Sequence, residues 1–65
     1  MTITINGEQQ TLPHVLTVDQ LLARQGYNTR IAIAINGTFI PRDTYSAQEL
    51  RQGDSIEILA PMQGG

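Results

Sequence analysis

Polar and apolar residues alternate in several short runs along the chain. In Thr2-Ile3-Thr4-Ile5 the period of two puts Ile3 and Ile5 on one face of a predicted strand. Asn6-Gly7 then supplies a two-residue hairpin signal, which sends the chain into a second strand over residues 8–12. Pro13-His14 ends that strand, because proline has no N–H to donate to a ladder. The pattern then changes period. Val18, Leu21 and Leu22, extended by Gln25, lie on one face of a helix predicted over 18–25.

The helix has its own start and stop signals. Thr17-Val18-Asp19-Gln20 has the form of a capping box, with Thr17 as N-cap and Gln20 at the third helical position. Asp19 complements the helix dipole, Leu16 and Leu21 fit a hydrophobic staple, and Gly26 is placed to cap the C-terminus.

Alternation returns over residues 30–36, where Ile31, Ile33 and Ile35 share one face and Ala32 and Ala34 the other, as in an interior strand. Asn36-Gly37 repeats the hairpin signal, residues 38–40 form a short fourth strand, and Pro41 stops it. Residues 45–50 read as a loop with a helical turn. Gln52-Gly53-Asp54 then turns the chain into a last strand, Ser55-Ile56-Glu57-Ile58-Leu59.

Hairpin, helix, hairpin and final strand describe an α+β, β-grasp domain: a mixed sheet of about five strands with one main helix on one face, the first and last strands side by side in the middle. The expected core is Ile3, Ile5, Leu12, Val18, Leu21, Leu22, Ile31, Ile33, Ile35, Ile40, Leu50, Ile56 and Ile58. The expected division is a domain over 1–60 and an arm over 61–65.

The arm follows from a comparison of magnitudes. Ordering its backbone costs about 1 to 2 kcal/mol per residue, whereas its one large apolar side chain, Met62, returns roughly 1.5 to 3 kcal/mol on burial. Entropy wins over five residues, so Pro61-Met62-Gln63-Gly64-Gly65 is expected to project freely, with a reach of about 17 Å. Glycine has no side chain to obstruct a narrow channel, so the terminal carboxylate could enter another protein's active site. That carboxylate is an anion near neutral pH and becomes a good electrophile only after activation.

Composition narrows the chemistry. The 65 residues suffice for one small domain, 40% of them are apolar, and a net charge of -2 with 15% charged residues argues against a polyanion-binding surface. No basic segment leads into an apolar run and no apolar stretch spans a bilayer, so a cytoplasmic location is expected, without nucleic-acid or membrane partners. The chain contains neither cysteine nor lysine, which leaves its carboxyl end as the place for reactive sulfur.

The remaining side chains give no enzyme site. His14 is a lone histidine beside proline without a nucleophile to serve, and reads as solvated. Asp43, Glu49, Asp54 and Glu57 are explained as turn and solvent-face residues, and no phosphate-loop motif is present. No bound cofactor or metal is expected. The tyrosines read as packing residues. On the outer sheet face Leu59, Ala32, Ala34 and Phe39 form an expected docking patch rimmed by Arg42 and Arg51.

Ile33-Ala34-Ile35-Asn36-Gly37, Phe39-Ile40-Pro41-Arg42, Leu50 with Gly53-Asp54-Ser55-Ile56, and the closing Gln63-Gly64-Gly65 together resemble the thiamine-biosynthesis sulfur carriers, the ubiquitin-like ThiS family. The resemblance covers essentially the whole chain. It implies a carrier whose Gly65 carboxylate is adenylated by an E1-like adenylyltransferase of the ThiF type, using ATP bound by that partner. Sulfur from a cysteine desulfurase persulfide then gives a thiocarboxylate, and a ThiG-type thiazole synthase receives it. Gly64, Gln63 and Met62 would thread the tail. The rival readings are a carrier for molybdopterin or another pathway, a ubiquitin-like protein modifier, and a non-covalent β-grasp binding module.

Overall fold

The computed structural model describes residues 1–28 and 30–59. Both Asn-Gly pairs make the two-residue turns expected of them. Asn6 and Asn36 have φ of 51° and 52°, and the glycines that follow have 85° and 84°, the left-handed pair that matches the twist of flanking strands. Their registers, Ile5 opposite Glu8 and Ile35 opposite Thr38, leave only those two residues in each loop.

Around these turns the chain forms β1 (Thr2–Ile5), β2 (Glu8–Thr11), α1 (Val18–Arg24), β3 (Ala32–Ile35), β4 (Thr38–Phe39) and β5 (Ser55–Leu59). The sheet order is β2-β1-β5-β3-β4. β1 and β5 are adjacent, as expected, and they run parallel; β5 is the central strand. β3 is interior, one place from the centre.

A helix of seven residues is too short to persist alone, so burial must hold it. Val18, Leu21 and Leu22 are fully buried, each stabilising by about 1.5 to 3 kcal/mol. The capping box is present: Gln20 Oε1 accepts the Thr17 N–H at 3.0 Å. The Asp19 carboxylate accepts both the Gln20 N–H and the Thr17 hydroxyl. At the other end Tyr27 N donates to Leu22 O and Gly26 N to Ala23 O, a Schellman motif with Gly26 at φ 85°. It ends the helix at Arg24, one residue before the expected boundary.

The core contains eleven of the expected residues, and adds Leu16 and Tyr45. Ile31 and Ile40 only pack against its edge, half-buried. The reason is visible at the start of β3. Arg30 N donates to Asn28 Oδ1, while the Arg30 and Ile31 carbonyls accept from Arg42 Nη2 and the Tyr45 hydroxyl, both at 2.9 Å. These groups are thereby drawn out of the ladder and β3 begins at Ala32. The helical turn also comes earlier than expected, as a 3₁₀ turn over Arg42–Thr44, because Pro41 O accepts both the Thr44 N–H and hydroxyl.

β5 is held at both ends by the turn asparagines. At its start Asn36 N donates to Ser55 O, Asn36 Oδ1 accepts the Ser55 N–H at 2.9 Å, and Asn36 Nδ2 donates to Asp54 Oδ1 at 3.0 Å. Near its end Asn6 N donates to Ile56 O, and then the chain turns away into Gly7. The Asn6 carboxamide continues the ladder: its Oδ1 accepts the Ile58 N–H at 2.8 Å, and its Nδ2 points at Ile58 O at 3.5 Å. Without it a part-buried N–H would lose its partner.

Asn6→Gly keeps the left-handed turn but removes that carboxamide. Urea unfolding is expected to show a loss of about 1 to 2 kcal/mol, with the largest rise in amide exchange at Ile58. Unchanged stability and exchange would show that the carboxamide is dispensable to β5.

Candidate functional site

Leu59 is the last residue of the central strand, and six residues follow it in the sequence. Gly65, Gly64, Gln63 and Met62, with the expected arm over 61–65, lie outside the described residues. The site that can be built from structure is the base of that tail and the sheet face around it.

Strand alternation fixes which side chains share the face. Ile56 and Ile58 of β5 turn inward and are buried, so Ser55, Glu57 and Leu59 turn outward. In register beside them on β3, Ala34 pairs with Glu57 and Ala32 with Leu59; beyond β3, Phe39 of β4 pairs with Ala34. On the other side β1 and β2 contribute Thr2, Thr4, Gln9 and Thr11. The outer face is therefore apolar toward β4 and neutral polar toward β2.

Most of the expected patch comes together. Phe39 is 70% exposed and Leu59 42%, both large for apolar side chains, and Ala32 is half-buried. Ala34 departs from expectation. It is only 4% exposed, because an alanine methyl in register between the longer Phe39 and Glu57 is overtopped by its neighbours. It forms the floor of the patch and not its contact surface.

The two rim arginines separate. Arg42 is exposed at the end of the sheet where β3 begins and β5 finishes, with Nη2 bound to Arg30 O. Arg51 lies at the opposite end, where its N–H binds Asp54 Oδ2 and the neighbouring Gly53 N donates to Thr2 O. It does not border Leu59.

Among the described residues there is no cavity and no group of three or more histidine, cysteine, aspartate or glutamate side chains placed to hold a metal. His14 is exposed in the loop before α1, and Asp54 is engaged by the Arg51 N–H and Asn36 Nδ2. No described helix is long and apolar enough to cross a membrane. What the described residues offer is a surface; the chemistry expected at Gly65 lies outside them.

The comparisons with known proteins bear on that chemistry. The ThiS family model matches residues 3–65, a span that includes the closing Gly64-Gly65. The chain belongs to the ThiS family. It is 33% identical over 66 aligned positions to a protein named thiazole synthase from Paramagnetospirillum magneticum; the match takes in all of this chain and 20% of that protein. It is also 33% identical over 66 positions to the uncharacterized protein ycf40 of Porphyra purpurea, covering all of this chain and 93% of that one.

Among solved structures it superposes on the crystal structure of the thiamine biosynthesis protein ThiS from Geobacter metallireducens with a TM-score of 0.84, at 29% identity and with each chain covered completely. The solution structure of a thiamine biosynthesis protein from the same organism gives the same TM-score and identity and is covered over 88% of its length. The β-grasp, ubiquitin-like fold of the ThiS family is thus the fold of this chain.

Sequence reasoning missed the side-chain roles of Asn6, Asn36 and Tyr45. The Asn-Gly pairs marked the turns, but nothing local marks a carboxamide for a partner 52 positions away.

Adjacent residues of β5 separate stability from surface. Ile58→Ala is expected to cost about 2 to 4 kcal/mol in thermal or urea unfolding, because Ile58 is 7% exposed on the core side. Leu59→Ala is expected to cost less than about 1 kcal/mol. Equal losses would place Leu59 in the core and remove it from the docking surface.

Proposed function

We propose that this ThiS-family chain is the sulfur carrier for the thiazole moiety of thiamine: a protein co-substrate whose Gly65 carboxylate does the carrying. The observation that carries this reading is the family match running through residue 65. The likeness to a protein named thiazole synthase favours the thiazole pathway over molybdopterin or another sulfur acceptor.

The chemistry begins with a poor electrophile. A carboxylate resists nucleophiles because its charge is delocalised over both oxygens, so it must first become an anhydride. An adenylating enzyme of the ThiF type, with its own ATP, joins the Gly65 carboxylate to the α-phosphate and expels pyrophosphate. A persulfide formed by a cysteine desulfurase attacks the acyl adenylate and displaces AMP. Thiol reduction of the resulting acyl disulfide leaves the Gly65 thiocarboxylate, which a ThiG-type thiazole synthase uses as its sulfur source. In this scheme the carrier contributes the reacting carboxylate and the recognition surface. It binds no cofactor of its own.

Each part of the chain has a consequence in this scheme. Gly64 and Gly65 present the carboxylate without side chains, so a narrow active site can close around the backbone. Gln63 and Met62 lie in the same threaded segment, and Met62 supplies an adaptable apolar side chain for its walls. Leu59, Ala32, Phe39 and Arg42 surround the base of the tail and form the docking surface, with Ala34 beneath them. A cytoplasmic setting fits these soluble partners.

Removing Gly65 tests the reading. The shortened chain is expected to keep its thermal midpoint, since Ile58 is the last core residue among the described ones, and to lose ATP–pyrophosphate exchange with the cognate adenylating enzyme. Exchange at the full rate without Gly65 would contradict the carrier mechanism.

A further inference from the structure

Glu57 stands out once the five strands are assembled. It is exposed at the middle of the outer half of β5, and it is the one charged residue among the outward positions of the described strands. Its register neighbour on β3 is Ala34, with Phe39 beyond, and Leu59 lies two residues on along the same face. The first hairpin contributes only neutral polar side chains to this face. A single carboxylate is therefore set in an uncharged surround, beside the apolar half.

The position of the face limits what can cover it. Six residues separate Leu59 from the end of the chain at Gly65, a reach of about 20 Å when extended. An enzyme holding the terminal carboxylate in its active site therefore sits within that distance of Leu59, close enough to seat on the surface that Phe39 and Leu59 expose.

Such an enzyme meets an electrostatic condition. Covering the face strips water from the Glu57 carboxylate, and a buried charge without a partner is strongly destabilising. A wholly apolar partner surface is thus rejected, although it would suit Phe39 and Leu59. A surface with one cation at the right place satisfies both requirements. The ion pair then acts chiefly as a discriminator between partners, because like charge or no charge at that point is penalised more than the matched pair is rewarded.

On the carrier reading above, which already makes this face the docking surface, we infer that the enzyme that activates the terminal carboxylate presents one arginine or lysine to Glu57 within an otherwise apolar contact. Glu57 sets partner specificity; it takes no part in the reaction itself.

The test is steady-state ATP–pyrophosphate exchange by the cognate adenylating enzyme with the full-length carrier and two variants, Glu57→Gln and Glu57→Arg. Loss of the charge is expected to raise the carrier's KM by about 3- to 10-fold and its reversal by at least about 10-fold. In both variants kcat should stay within about twofold of the parent. The thermal midpoints should be unchanged, since the side chain is exposed. Raising the salt from about 50 to about 500 mM should raise KM for the parent and much less for Glu57→Gln. An unchanged KM for Glu57→Arg, or a loss confined to kcat, would overturn the assignment of a cation opposite Glu57. A parent chain that supports no exchange at all would instead contradict the carrier reading, a distinguishable result.

Discussion

The constraint on which the rest of the structure depends is the need to satisfy the backbone of the central strand. β5 runs between β1 and β3, but its parallel pairing with β1 is short, because β1 turns away at Asn6. A peptide group in the middle of a sheet cannot be left unpaired without a cost of about 1 to 3 kcal/mol. The turn that removes β1 from the ladder also supplies the replacement: the Asn6 carboxamide takes the Ile58 N–H, while Asn36, from the opposite hairpin, does the same for Ser55. Asparagine suits both positions for a second reason. It tolerates the left-handed backbone that these turns require, which most side chains do not.

Holding β5 in this way fixes the alternation of its side chains. A slip of one residue would send Ile56 and Ile58 to the outside and bring Glu57 into the core, so the register is set by burial as well as by the two carboxamides. The same register places Leu59 and Glu57 on one surface at the end of a rigid strand. Ala32 pairs with Leu59 at a point steadied by two further bonds, from Arg42 and Tyr45 to the carbonyls just before β3. A carrier needs this arrangement: a defined surface by which it is recognised, next to the chain segment that reacts. Among the described residues there is no cavity that could serve as a catalytic cleft.

Much of the fold was legible because its signals are local. Two Asn-Gly pairs, a capping box with Gly26 at the right distance, and alternating isoleucines specify hairpins, helix and strands with little help from tertiary context. Two of the misreadings came where residues distant in sequence intervene. β3 lost its first two residues to Arg42 and Tyr45, and Ala34 is covered although it lies on the outer face, because burial there depends on the size of cross-strand neighbours. Glu57 looked like any solvent-facing strand residue. Its isolation appears only when all five strands are in place. The end proposed to react lies outside the described residues, so the reading of its chemistry rests on Gly64-Gly65 and the family pattern alone.

The most direct test of the central claim, that this chain carries sulfur on Gly65, is its intact mass after incubation with ATP, the cognate adenylating enzyme, a cysteine desulfurase, cysteine and a thiol reductant, followed by a thiol-directed alkylating reagent. With no cysteine in the chain, the thiocarboxylate is the one group that reagent should find. The account predicts an exchange of oxygen for sulfur and a single alkylation that fragmentation localises to Gly65. An unmodified mass, under conditions in which the same enzymes load an established carrier, would contradict it.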